Sequence, residues 1–441
     1  MRGMRFLILV IIAIPLAWYA YYDSKKGPVN DSPKRDKVFT VDADKIDEIE
    51  VKSESGDRTM VRKKGSDWEI VQPVSAPTDQ AAVSGITSNL SSVEIQRVID
   101  DNPPDLKEYG LAQPRVEVAF KANGQPHRLQ IGQKTPAGTD VYAKLPDSKR
   151  VFLIPSFLDS TFNRSTFDLR DKTVLKLDRE KVDALEVNAG TRTLKFEKKN
   201  GEWQIAQPSA GRAEFSAVDG LVSRISSVQM KSIVPDATDL KKYGLDKPAA
   251  TVRLGSGSSQ ASLAIGSAAE SGSVYAKDLS RPAVFTIESS LADELKKDVS
   301  EYRQKDLFDA RSFNTSRLDI VHGGQTSTFD KTKVKGKDGK EEEKWKQTAP
   351  TARDVDAAKV EALISAVTVG RATGFVDSTA NTGLDKPELT VTFKYDEGKE
   401  ERVSFARTKD AAFAARAGAP GAAKVDASLI DSIIKALGDV K

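Results

Sequence analysis

The chain has 441 residues, more than one hydrophobic core serves, so two to four domains of roughly 100 to 150 residues are expected. With 39% apolar and 30% charged residues it is not a mostly disordered chain, and Lys plus Arg (67) nearly cancel Asp plus Glu (64) with the signs interspersed, which excludes the basic stripe that nucleic acid requires. The absence of cysteine excludes disulfides, thiolate metal sites, thiol nucleophiles and an acylated N-terminal cysteine.

Arg2 and Arg5 precede an uncharged run, residues 6–22, that includes Phe6, Leu9, Ile12 and Leu16 and ends in Trp18, Tyr19, Tyr21 and Tyr22. As a helix at about 1.5 Å per residue it spans roughly 25 Å, close to a hydrocarbon core of about 30 Å, with its aromatic end suited to the interface. Residues 1–22 therefore read as a transmembrane signal-anchor. A cleaved secretory signal is the competing reading, but Trp18 before Ala20 and Pro15 before Ala17 spoil the small-x-small pattern that peptidases accept. Lys25, Lys26, Lys34, Arg35 and Lys37 outnumber the two leading arginines, so the charge rule does not settle orientation. The short charged leader favours an extracytoplasmic bulk, and polar residues 23–37, with Gly27, Pro28 and Pro33, read as a flexible stalk.

The rest repeats. WEIVQP from Trp68, WQIAQP from Trp203 and WKQTAP from Trp345 lie 135 and 142 residues apart, each ending in a proline. Downstream, Tyr109-Gly110-Leu111 leads to Pro114, Tyr243-Gly244-Leu245 to Pro248 and Thr382-Gly383-Leu384 to Pro387. Between these landmarks fall Val83, Ile86, Leu90 and Val93, then Val218, Leu221, Ile225 and Val228, then Val360, Leu363 and Val367, with Gly370 breaking the pattern. Spacings of 3, 4 and 3 place each set on one face of a helix. After the proline the period becomes two: Val116, Val118 and Phe120, then Ala250, Val252 and Leu254, then Leu389, Val391 and Phe393, as in strands with one face inward.

The first two units continue with LQIG ending at Gly132 and LAIG ending at Gly266, then Val-Tyr-Ala-Lys from Val141 and from Val274, and a further apolar run from Val151 and from Val284. These predict an antiparallel meander, with a short second helix around residues 156–162, 289–297 and 427–437. Ile46, Ile49 and Val51, and again Val182, Leu185 and Val187, open a hairpin that ends at the tryptophan. The expected fold class is α+β: an N-terminal transmembrane helix and three tandem repeats, 38–172, 173–306 and 307–441, each an antiparallel meander or hairpin sheet with one main amphipathic helix and a short second one. Arg35-Asp36-Lys37, Arg170-Asp171-Lys172 and Lys305-Asp306 act as short connectors that imply close stacking, with a flexible chain of beads as the alternative. The third repeat departs most, with an insert at 333–344 that reads as a solvated hairpin loop and an alanine-rich stretch, 411–423, in place of Val-Tyr-Ala-Lys.

Little points to chemistry. His127 and His322 fall at unmatched places in different repeats, which rules out a shared catalytic histidine. Asp42, Asp44 and Asp47 have neither the glycine turn nor the distant glutamate of a calcium loop, and Gly255-Ser256-Gly257 reads as a hairpin turn rather than a phosphate cradle. A carboxylate pair of glycosidase type stays open, since separation in space is not legible. Trp68, Trp203 and Trp345 read as core rather than sugar-stacking platforms, and Gly110, Gly244 and Gly383 as turn or helix termini at positive φ, with Pro114, Pro248 and Pro387 setting the next strand. No catalytic residue, cofactor, metal or small-molecule substrate is expected.

The Tyr-Gly-Leu-x-x-Pro run, the V-x-V-x-F strand, the Ile-Gly turn, the Val-Tyr-Ala-Lys strand and the Arg-Asp-Lys connector together resemble domain-of-unknown-function family 4340, in three copies from about Arg35 onward, the third lacking the Ile-Gly and Val-Tyr-Ala-Lys parts. The resemblance implies one N-terminal membrane helix in the bacterial cytoplasmic membrane. It also implies an accessory extracytoplasmic role beside integral-membrane components of a gliding-motility-type ABC transporter and its auxiliary extracytoplasmic subunit. Binding of envelope polysaccharide or peptidoglycan is the second expectation, and an envelope hydrolase the third.

Overall fold

The computed structural model of the protein describes residues 35–335 and 341–440, together with Trp18 and Tyr21. Phe6, Leu9, Ile12, Leu16 and Tyr22 of the expected anchor lie outside the described residues; Trp18 and Tyr21 are helical and exposed. Among the described residues no helix is long and apolar enough to cross a membrane. The chain divides into two compact units, Met1–Asp171 and Lys172–Lys441.

The first unit contains β1 (Ile46–Lys52), β2 (Arg58–Lys64), β3 (Asp67–Gln72), β4 (Ala76–Pro77), α1 (Gln80–Ser92), β5 (Arg97–Asp100), β6 (Val116–Ala122), β7 (Gln125–Lys134), β8 (Asp140–Lys144), β9 (Val151–Pro155) and α2 (Phe157–Phe162). They form one antiparallel nine-stranded sheet ordered β4-β3-β2-β1-β6-β7-β8-β9-β5. Two meanders therefore join along β1 and β6, and the chain crosses through α1 to lay β5 on the far edge. Alternation decides the faces: Ile49 and Val51 of β1 and Val116, Val118 and Phe120 of β6 are buried, while Glu48, Glu50 and Glu117 face the opposite way. On α1, Val83, Ile86 and Leu90 are buried in the same core, each contributing about 1.5 to 3 kcal/mol by leaving water. Asp79 caps the helix by accepting from the N–H groups of Ala81 and Ala82.

The second unit repeats this plan twice. Its first sheet comprises β10 (Ala184–Ala189), β11 (Arg192–Lys199), β12 (Glu202–Gln207), β13 (Gly211–Arg212), β14 (Ser232–Val234), β15 (Ala250–Ser256), β16 (Ser259–Ala269), β17 (Ser273–Asp278) and β18 (Val284–Glu288), with α3 (Phe215–Ser227) and α4 (Ser289–Glu294). The second comprises β19 (Thr315–His322), β20 (Gln325–Lys335), β21 (Glu341–Ala349), β22 (Arg353–Asp354), β23 (Gly374–Val376), β24 (Leu389–Tyr395), β25 (Lys399–Arg407), β26 (Ala412–Arg416) and β27 (Ala422–Val425), with α5 (Ala357–Thr368) and α6 (Ala427–Val440). Their strand orders, β13-β12-β11-β10-β15-β16-β17-β18-β14 and β22-β21-β20-β19-β24-β25-β26-β27-β23, reproduce the first. Triplication and the α+β class are thus visible strand by strand.

Three details correct the expectations, and a fourth, the alanine-rich stretch, fills one in. The Ile-Gly pair is not a turn: Gly132 and Gly266 lie within β7 and β16, beside register shifts. The insert is mostly strand, because Lys333, Val334 and Lys335 pair with Glu343, Glu342 and Glu341 and so lengthen the β20–β21 hairpin, while residues 336–340 lie outside the described ones. The alanine-rich stretch supplies β26, where Phe413 takes the register place of Tyr142 and Tyr275. The connectors are out of register: Lys37, Thr173 and Asp306 make equivalent bridges, to Glu94, Gln229 and Arg371, so Arg35-Asp36-Lys37 matches Asp171-Lys172-Thr173 rather than Arg170-Asp171-Lys172.

Candidate functional site

The landmark residues are framework. Trp68, Trp203 and Trp345 are buried, the first two at the starts of β3 and β12 and the third midway along the lengthened β21, with Lys198 and Lys331 each 5.6 Å from the ring centre of Trp203 and Trp345. Gly110, Gly244 and Gly383 have φ of 67°, 65° and 76°, and Pro114, Pro248 and Pro387 each stand two residues ahead of β6, β15 and β24. The Tyr-Gly-Leu turn lies directly on the Ile-Gly strand: a Cβ on Gly132 would sit 2.1 Å from the Tyr109 carbonyl, and one on Gly266 the same distance from that of Tyr243. Tyr109 then meets Tyr142, and Tyr243 meets Tyr275, with ring centres 5.0 and 4.9 Å apart. The lysine of Val-Tyr-Ala-Lys is also structural. Buried Lys144 donates to Gln130 Oε1 and to the Leu145 carbonyl, and Lys277 donates to the carbonyl of Arg281, closing the β8–β9 and β17–β18 turns. Burial lowers the Lys144 ammonium below its ordinary value.

Neither histidine joins a polar cluster. His127 stacks on Phe120 at 4.9 Å, and the Nδ1 of His322 lies 3.2 Å from the Glu388 carbonyl oxygen. Among the described residues no group of three or more His, Asp or Glu is placed to hold a metal ion.

Charge is buried elsewhere, at the seam between the second and third repeats. No linker separates them: the Gln304 N–H still donates to Arg212 O of β13, while Lys305 O already accepts from Ala372, ahead of β23. Glu401 on β25 is 3% exposed and accepts from the N–H groups of Asp309 and Ala310, with the Nη1 of Arg416 3.0 Å away. Asp309 in turn pairs with Arg212 of the second repeat and with Arg416 of the third. Arg303, 7% exposed, donates to Ser209 Oγ at 2.6 Å and Asp377 Oδ1 at 3.2 Å, with its guanidinium 5.2 Å from the Phe375 ring centre. Burial, followed by the like charge of Arg416, pulls the Arg212 guanidinium below its ordinary value, against the carboxylates of Asp309 and Glu401. Burial next to Glu401 and Asp309 raises the Tyr395 hydroxyl. Sequence reasoning missed this cluster because Glu401 and Arg416 do not repeat, although Arg303 takes the bridge place that Arg170 holds in the first copy. Glu401 occupies the register place held by His127 and Ala261 in the other copies, and Arg416 that of Asp278.

Such a seam can hold two repeats in one fixed relation, and it leaves a small cavity among the arginines. Comparison with known proteins places the fold by family. Residues 68–204 and 203–387 match the family described as "Domain of unknown function (DUF4340)". The chain belongs to that family, each matched stretch beginning at one of the repeated tryptophans. No curated protein matches. Among solved structures, a DnaN sliding clamp (DNA polymerase III subunit beta) from Pseudomonas aeruginosa bound to griselimycin aligns at 7% identity over 89% of this chain and 93% of that one; its TM-score is 0.13, too low for a shared fold.

Proposed function

We propose that this chain is a non-catalytic accessory or scaffold protein. In this reading it is held in the bacterial cytoplasmic membrane by residues 1–22, its repeats lie on the extracytoplasmic side, and it docks there on integral-membrane components of a gliding-motility-type ABC transporter and an auxiliary extracytoplasmic subunit. The supporting observation is where repetition falls. The residues shared by the copies are a buried tryptophan, a left-handed glycine, one helix face and alternate strand positions, all of which build the fold. What differs between copies is the polar surface around that frame, which suits presentation of distinct surfaces on one scaffold. Burial of all three repeated tryptophans removes the ring platform that a polysaccharide binder would have shared among them.

The test is affinity purification of the full chain from crosslinked native membranes. Recovery with transporter subunits in constant ratio is expected. Recovery of the chain alone at full yield, with or without crosslinking, rejects the accessory role.

A further inference from the structure

We propose that the cavity between the second and third repeats binds a small organic carboxylate with a short apolar tail. The cavity measures about 100 Å³ and is lined by Arg212, Arg303 and Arg416 together with Leu307, Phe375 and Val403. Asp306 supplies the one carboxylate in its lining, and that group is already engaged by Arg311 and Arg371, each at 3.0 Å. The carboxylates of Asp309, Glu401 and Asp377, which neutralise the arginines, belong to residues outside the lining. The walls therefore combine three arginines, each already paired with a carboxylate behind the lining, with largely apolar side chains.

The second observation is an unmet donor. Arg303 is 7% exposed, yet its Nε has no hydrogen-bond partner, and the buried Nη1 of Arg416 likewise makes no hydrogen bond, although it lies 3.0 Å from Glu401 Oε2. Both atoms are closed to solvent as they stand, so an acceptor in the cavity reaches them only by a turn of the guanidinium, which would relieve the unmet donor. A guanidinium edge offers two parallel donors, the match for a carboxylate. An apolar cavity of roughly 150 Å³ holds a benzene ring, so this one has room for on the order of five non-hydrogen atoms, a carboxylate and a short alkyl chain. Inorganic phosphate fits less well, because its oxygens would be stranded against Leu307, Phe375 and Val403. The site does not rest on the accessory role proposed above.

The experiment titrates the full-length protein with propionate, with propanol and inorganic phosphate as controls, read by calorimetry and by thermal unfolding. Saturable propionate binding is expected, with a dissociation constant on the order of 1 mM or tighter, a raised melting temperature, and at least tenfold weaker binding of both controls. Arg303→Met should weaken propionate at least tenfold. Ala419→Phe, at an exposed lining residue, should do the same without touching a buried contact, and it decides the matter if Arg303→Met fails to fold. Absent saturation, equal binding of propanol or phosphate, or undiminished binding by folded Ala419→Phe overturns the proposal.

Discussion

The second and third repeats share one strand order but clip themselves together with opposite charge. In the second, Asp278 at the end of β17 holds Arg281, whose guanidinium reaches the carbonyls of Thr173 and Val174 in the segment that opens the repeat. In the third, the same register place is Arg416, which holds Asp309 of the opening segment, while Glu401 gathers the N–H groups of Asp309 and Ala310. The motif changes in step. The second repeat has Gly266 beneath the Tyr243 carbonyl, whereas the third has Ala406, with Thr382 ahead of Gly383 and a Cβ on Gly383 at 3.4 Å from that of Ala406. The tyrosines and the glycine are one linked contact set, so their joint loss in the third copy is a single change, to which the loss of the lysine, bonded elsewhere, adds a second.

The comparison is broken most severely by Glu401→Ala. It removes one of the two carboxylates that Arg416 pairs with and leaves the Asp309 and Ala310 N–H groups without their acceptor where Glu401 is 3% exposed, so a loss of about 3 to 5 kcal/mol is expected in the third repeat. Hydrogen exchange of the full chain in urea should show residues 307–441 opening first, and equal opening of all three repeats contradicts this. Gly266→Ala comes next. Its Cβ would meet the Tyr243 carbonyl at 2.1 Å, so about 3 kcal/mol should be lost from the second repeat, whereas Ala406→Gly in the third should cost less than about 1 kcal/mol. Urea midpoints of the two variants check the asymmetry.

The smallest effect sharpens the charge reversal. Burial alone would raise the Asp278 carboxyl, but the N–H and hydroxyl of Ser280 and the guanidinium of Arg281 outweigh it and hold that carboxyl below the usual range. A depressed carboxylate contributes stability that is fully present above its unfolded value of about 3.9 and lost as pH falls below it. Asp278→Asn should therefore flatten the acid limb of second-repeat stability below about pH 4, at a cost of about 1 kcal/mol near neutrality. An unchanged acid limb removes the clip.

Much of this frame was legible. The helix faces at Val83, Val218 and Val360 and the alternation at Val116, Ala250 and Leu389 are local periodicities, and local periodicity survives in any context that buries one face. Gly370 was legible only as an exception. A Cβ there would lie 2.7 Å from Leu429 Cδ2 in the first turn of α6, so the exception is explained only by a contact made in the fold. The connector register misled for a related reason: identical Arg-Asp-Lys triplets suggested an equivalence that the bridges of Lys37, Thr173 and Asp306 shift by one residue.

From the chain of letters alone came three copies, their α+β composition, their buried tryptophans and their glycine-marked turns. Each of these is imposed by short-range geometry or by side-chain hydrophobicity within a few dozen residues. Only the folded arrangement brought Arg212, Arg303, Asp309, Glu401 and Arg416 together, from places as far apart as β13 and β26. A charge becomes costly or useful once water is removed from it, and which charges lose their water is decided by packing between repeats, not by any spacing along the chain.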